Sequence, residues 1–175
     1  MRKFPKLSET DASVICHELG HYIAMCLLGK REEVRRMEFE FTLFECNGTT
    51  VRNPLVTTPG GEVLIRQWSE EETLLILYAG AAACRITGHS GKRISGTDRV
   101  RAFSLSGPKE RREAERQAIE MLLPYRDLLN TVTCRIIEII RESEEEVNWI
   151  STEMLLQWIP DNAISNPQCY GTPGI

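Results

Sequence analysis

The sequence contains no pair of cysteines spaced as CxxC, no apolar run long enough to cross a membrane, and no internal repeat or low-complexity stretch. Its six cysteines, Cys16, Cys26, Cys46, Cys84, Cys134 and Cys169, are scattered. That excludes a zinc ribbon and a CxxC redox centre, and reads as mostly buried thiols in a reducing compartment. A membrane-spanning helix needs about 18 to 20 consecutive apolar residues, and the best run, Leu74 to Ala83, falls short. The first residues, MRKFPKLSETD, carry charge without an apolar core, so no signal peptide is expected and the cytoplasm is the expected location. Positive charge is not in excess either. The 21 Lys and Arg against 25 Asp and Glu leave a net charge of -4, which argues against a nucleic-acid backbone as the main partner. With 175 residues there is room for one ordinary domain and none for a second large module such as a nucleotide-driven motor.

What is present suffices for a folded, soluble protein with a buried core, since 42% of the residues are hydrophobic and 26% charged. The first periodic segment runs from about Ser8 to Leu28, with Ser8 and Asp11 as a weak capping box and Gly29 as its end. Val14, Ile15, Leu19, Ile23, Cys26 and Leu27 leave so little polar surface that this helix belongs in the core. From Val34 the period changes to two: Met37, Phe39, Phe41 and Leu43 alternate with Glu38, Glu40 and Thr42. This predicts a half-buried strand, with Asn47-Gly48 as a turn and Thr49 to Val56 as its hairpin partner. Beyond Pro59-Gly60-Gly61, Val63 to Trp68 reads as a third strand or as the approach to a helix.

Ser69 with Glu72 makes a capping box for a second buried helix that Gly88 closes. A Gly- and Ser-rich loop to Gly96 leads to a short helix from about Thr97 to Leu105, and Pro108 opens the next. Pro124 interrupts it, Tyr125 to Glu142 resumes with an amphipathic pattern, and Ser151 caps a last turn or two ending at Pro160. This order predicts one α+β domain over 1–175, mostly helical. It divides into a metal-site half, 8–105, with a small hairpin or sheet, a C-terminal helical bundle, 106–160, and an irregular tail, 161–175.

His17-Glu18-Leu19-Gly20-His21 is an HExxH sequence inside the first helical segment. Two histidines four apart project from one helix face about one turn apart, so both imidazoles can bind one metal ion. Glu18 can then take the proton of the water that the metal activates, without being a ligand itself. A chain with 3 His and this Glu content holds roughly 0.004 such matches by accident. The competing reading is a pair of core histidines hydrogen-bonded to backbone. It requires burying two imidazoles and a carboxylate on an apolar helix, at a cost of several kcal/mol.

A catalytic zinc takes three protein ligands and leaves a fourth position for water. The extended motif HExxHxxGxxH is absent, because Ile23 and Leu27 stand at its Gly and last His positions. Three sources of a third ligand remain. They are His89 in the Gly-Ser loop, Glu70 to Glu72 in a first helical turn that favours acids anyway, and Asp98 at the start of the short helix. Asp98 is one of four aspartates in this Glu-rich chain, and its other reading is an N-cap or first-turn acid.

Three segments together resemble the peptidase domain of the FtsH-type zinc proteases: HELGH at His17 to His21, LYAGAAACRITG at Leu77 to Gly88, and SGTDRVRAFSL at Ser95 to Leu105. In that family a HEAGH helix supplies two ligands and a small-residue helix packs nearby. The third ligand there is an Asp after a small-residue loop, with Ala four residues on. Asp98 and Ala102 match that pattern, so the resemblance implies a zincin-like site in which His17, His21 and Asp98 hold Zn2+ and Glu18 is the catalytic base. Leu19 replaces the family's Ala, and Cys84 stands where its second helix has Glu. The resemblance spans about Ser8 to Trp158 and implies a stand-alone, ATP-independent relative of the peptidase module. HELGHY is also similar to the ImmA-like metallopeptidases, and Glu115 to Pro124 echoes a helix of theirs that follows HExxH much sooner.

The expected activity is therefore zinc-dependent hydrolysis of a polypeptide substrate, with an extended peptide pairing to an edge of the Met37 to Val56 hairpin. Two other classes stay open on the residues alone. One is a binding or regulatory module whose zinc site is closed by Cys16, Cys84 or His89, and the other is a helical scaffold without metal. Arg31 to Arg36 and Arg99 to Arg116 are interspersed with Glu and read as solvated faces, with a docking surface as the alternative. Trp68, Trp149 and Trp158 read as packing residues, and an oligomer is neither required nor excluded.

Overall fold

A computed structural model describes residues 9–29, 36–46, 49–57, 68–94, 96–142 and 147–165, and this part of the chain is mostly helical. Helix α1 spans Glu9–Leu27. Gly29, at φ 71°, ends it: the Leu28 and Gly29 N–H groups close on the carbonyls of Ala24 and Cys26. Helix α2 spans Glu70–Thr87 and is fixed at both ends by local chemistry. The Ser69 hydroxyl accepts from the Glu72 N–H at 3.1 Å, and the Glu72 carboxylate accepts from the Ser69 N–H at 3.0 Å. At the other end Gly88, in the left-handed region, donates its N–H to the Cys84 carbonyl.

The two helices approach closely because their contact faces carry almost no side chain. A Cβ on Gly20 would meet both the Ala79 carbonyl oxygen and the Ala83 Cβ at 2.6 Å, so only glycine fits there. Tyr22, Ile15, Leu19 and Ile23 of α1 are fully buried, as are Ala79, Ala83 and Cys84 of α2.

Helix α3 spans Gly96–Leu105 and buries only Ala102. Helix α4, Pro108–Leu122, starts with proline at its first position and buries Ala114, Ala118 and Leu122, a stripe one residue wide. Pro124 falls in a single 3-10 turn, Leu123–Tyr125, and helix α5, Arg126–Glu142, follows directly. Leu128, Leu129, Val132 and Ile136 of α5 belong to the same cluster of buried side chains as those of α1 and α2, a cluster that runs from Ile15 to Ala163. Helix α6 covers Thr152–Trp158.

Three extended segments accompany the helices: Arg36–Cys46 (β1), Thr49–Thr57 (β2) and Val147–Ser151 (β3). Their backbones pair antiparallel in the order β2-β1-β3, with Phe39 opposite Val56 on one side and Asn148 on the other.

The tail departs from its expected irregularity. Asp161–Ser165 forms a short helix, α7. The Pro160 carbonyl accepts from the N–H groups of Ala163 and Ile164 at 2.9 and 3.3 Å, and the Tyr125 hydroxyl donates to the Ile164 carbonyl. Ala163 is fully buried. This turn is thus held by tertiary anchoring that local composition does not reveal. Cys134 is exposed and Cys26 half-buried, whereas Cys16 and Cys84 are buried as expected. No helix among the described residues is long and apolar enough to cross a membrane. The expected Ser8 cap, the Asn47-Gly48 turn, most of the Val63 to Trp68 segment and the chain beyond Ser165 lie outside the described residues.

Candidate metal centre

Helical spacing sets His17 and His21 side by side on α1, and the first turn of α3 brings Asp98 to them. His17 Nε2 lies 3.2 Å from Asp98 Oδ2, His21 Nε2 lies 3.4 Å from the same oxygen, and the two Nε2 atoms are 3.1 Å apart. The rings stand nearly perpendicular, at 80°, with centroids 4.7 Å apart. A tetrahedral ion with bonds of 2.0 to 2.1 Å spaces its ligand atoms about 3.3 Å from one another. The triangle therefore has the edge length that a single ion demands, and the three residues could hold a metal. Their side chains keep 15% to 23% of their surface, so solvent can reach the group.

Backbone geometry prepares each of the three. Gly96, at φ 54°, starts α3 in a conformation that L side chains rarely adopt. Ala102, one turn after Asp98, is fully buried and seats the helix. On α2, a Cβ at Gly80 would fall 2.5 to 2.6 Å from three atoms of the His17 ring, so the imidazole lies against bare backbone. His21 Nδ1 is 2.6 Å from the Ile76 carbonyl oxygen. A carbonyl only accepts, so Nδ1 carries the hydrogen and Nε2 is the atom that faces the triangle. Cys84 is the next side chain, after Asp98, that raises the proton affinity of His17.

The electrostatics suit a positive charge at the centre of this group. Burial pulls the His17 pKa down, but the hydrogen bond to Asp98, followed by that to Cys84, outweighs it and raises the pKa to about 10. Burial raises the Asp98 carboxyl, yet its bonds to His17 and His21 hold it well below the usual carboxylate range. A proton shared between His17 and Asp98 is one species that balances this group, and a divalent cation is the other. Glu18 is half-buried, and burial raises its pKa against the opposing charges of His21 and His17. It feels all three members of the triangle without being one of them.

Of the other candidates, His89 and Glu70 to Glu72 are not brought into the group, and Glu72 is committed to the α2 cap. Cys16 and Cys84 also stay out of it. The Cys16 thiol lies 3.3 Å from the Thr87 hydroxyl, and Cys84 Sγ lies 3.4 Å from the Ser13 carbonyl oxygen. The Cys16–Cys84 hydrogen bond lowers the Cys84 pKa and, with burial, raises that of Cys16. Two contributors escape a reading of the sequence. Gly80 sits in a small-residue run that signals close approach without saying to what, and Ile76 acts through a main-chain atom that no residue type announces.

No known family model matches the chain, and no curated protein matches it.

Proposed function

We propose that this chain is a zinc-dependent metallopeptidase, ATP-independent and similar to the peptidase module of the FtsH-type proteases, acting on polypeptides in the cytoplasm. One observation carries the proposal: a His-His-Asp triangle of ion-sized edges stands next to a carboxylate that is outside it. The donor set, two imidazoles and one carboxylate, suits zinc with a position left open. His17, His21 and Asp98 would hold the ion, which when bound supplies Lewis-acid polarisation of the scissile carbonyl and acidifies water.

The chain's own groups do the rest. The Ile76 carbonyl orients the His21 ring, and the bare backbone at Gly80 seats that of His17. Glu18, its proton affinity raised by burial, takes a proton from the attacking water and returns it to the leaving amine. The β1–β2 hairpin would receive the substrate, because β2 lies at the outside of the order β2-β1-β3 and an extended peptide can pair there.

Glu18→Gln tests the reading. Zinc per chain should stay unchanged, while hydrolysis of an unfolded polypeptide falls by about a hundredfold or more. Intact hydrolysis would refute the role of Glu18, and a chain that never hydrolyses anything but loses its fold with zinc would be a zinc-stabilised binding module.

A further inference from the structure

A cleft lies where α2, α3, α4 and the loop before α3 meet. Its volume is about 460 Å³, within the range of about 300 to 1,000 Å³ usual for ligand sites. Four guanidinium groups surround it: Arg93 from the loop, Arg99 from α3, and Arg111 and Arg112 from α4. None of the four has an ion-pair partner among the described residues, and the one carboxylate lining the cleft, that of Glu115, is turned to Arg85 at 3.1 Å. In a chain of net charge -4, four cations that have no ion-pair partner among the described residues thus gather in one place. Such a gathering raises the local potential and attracts anions.

An aromatic ring stands among the charges. Arg111 stacks on the Phe103 ring at 3.9 Å and Arg99 flanks it at 5.3 Å. Arg111 also donates to the Ser106 carbonyl, which fixes it. Phe103 keeps 51% of its surface, an exposed aromatic in the middle of the charges. The guanidinium groups come from three elements, a loop and two helices. The N-terminus of α4 is already faced by Glu110, whose Oε2 would lie 2.7 Å from a Cβ on Gly107. The cleft therefore offers four side-chain charges from three elements without a bare helix terminus, which suits several carboxylates along a peptide better than one compact phosphate. Helix α3 links this cleft to the metal centre, since Asp98 and Arg99 are consecutive.

The geometry points to an acidic segment of the polypeptide substrate as the occupant of this cleft, an inference that rests on the peptidase reading above. The test uses the full-length, zinc-loaded Glu18→Gln chain and two fluorescent peptides of equal length. One carries a run of Glu and Asp, and the other has Gln and Asn in their places. The acidic peptide should bind about tenfold more tightly, since each exposed charge pair is worth up to a few-fold. Salt should narrow that gap. The doubly substituted Arg93→Gln, Arg112→Gln chain should abolish it, and both positions are exposed, so the fold should survive. Equal binding of the two peptides, or a preference that survives the double substitution, overturns the inference. So does displacement by inorganic phosphate with no dependence on peptide charge, which would assign the cleft to a phosphate ligand. Hydrolysis by the unaltered chain is scored separately. Cleavage without charge preference removes the cleft and leaves the peptidase, whereas arginine-dependent binding without cleavage supports the cleft and removes the peptidase.

Discussion

His21 has one ring nitrogen bound to a carbonyl and the other facing His17 at 3.1 Å, with Asp98 at the third corner of the triangle. Without a metal, the proton on His17 holds this arrangement together, and that gives it a pH signature. The folded pKa of about 10 lies above the ordinary 6.5, so the stabilisation is complete below pH 6.5 and is lost as pH rises through about 10. The melting temperature of metal-free protein should fall across that window, and Asp98→Asn should flatten the fall. A melting temperature that rises between pH 6.5 and 10 would contradict the pairing. Zinc runs the other way, because it must displace the same proton, so its apparent affinity should increase over the same range.

At the scale of the elements, α1 and α2 meet over two glycines with different duties. Ala at Gly20 would push on the Ala79 backbone, so the helices must separate; Gly20→Ala should cost about 1 to 3 kcal/mol in chemical denaturation. For Ala at Gly80 the nearest atoms all belong to the His17 ring, a side chain that must shift while the backbone stays. Gly80→Ala should cost less stability than Gly20→Ala and weaken zinc binding by on the order of tenfold, read by competition with a chromophoric chelator. Equal effects of the two substitutions on zinc would contradict this division.

Most helix limits were legible in the sequence because local chemistry writes them: the Ser69 and Glu72 box, Gly88 and Pro108 all act within a turn of their own position. Helix α7 was not, since it depends on Tyr125, 39 residues earlier in the chain.

For the molecule as a whole, the buried cluster from Ile15 to Ala163 joins the metal-bearing helices to the C-terminal ones. Leu129, fully buried in α5, should therefore matter to the metal centre it never touches. Leu129→Ala should lower stability by about 2 to 5 kcal/mol. Helix loss and zinc release should then move together to lower urea; separate transitions would mean that the two parts fold apart.

The site was legible in proportion to its locality. His17, Glu18 and His21 fall within five residues, so helical periodicity alone sets their relation. Asp98 competed with His89 and Glu70 to Glu72 until the chain's path brought the first turn of α3 to His17 and His21. The arginine cleft was not legible, because Arg99 to Arg116 alternate with Glu along the chain and separate from it only in space.

X-ray absorption at the zinc edge tests the central claim most directly. Protein loaded with one zinc per chain should show two imidazole nitrogens and oxygen donors at about 2.0 to 2.1 Å, and no sulfur. Loss of Asp98 should remove an oxygen and leave both nitrogens. A zinc–sulfur distance near 2.3 Å would place Cys84 or Cys16 in a closed structural site, and a chain that retains no zinc would contradict the account altogether.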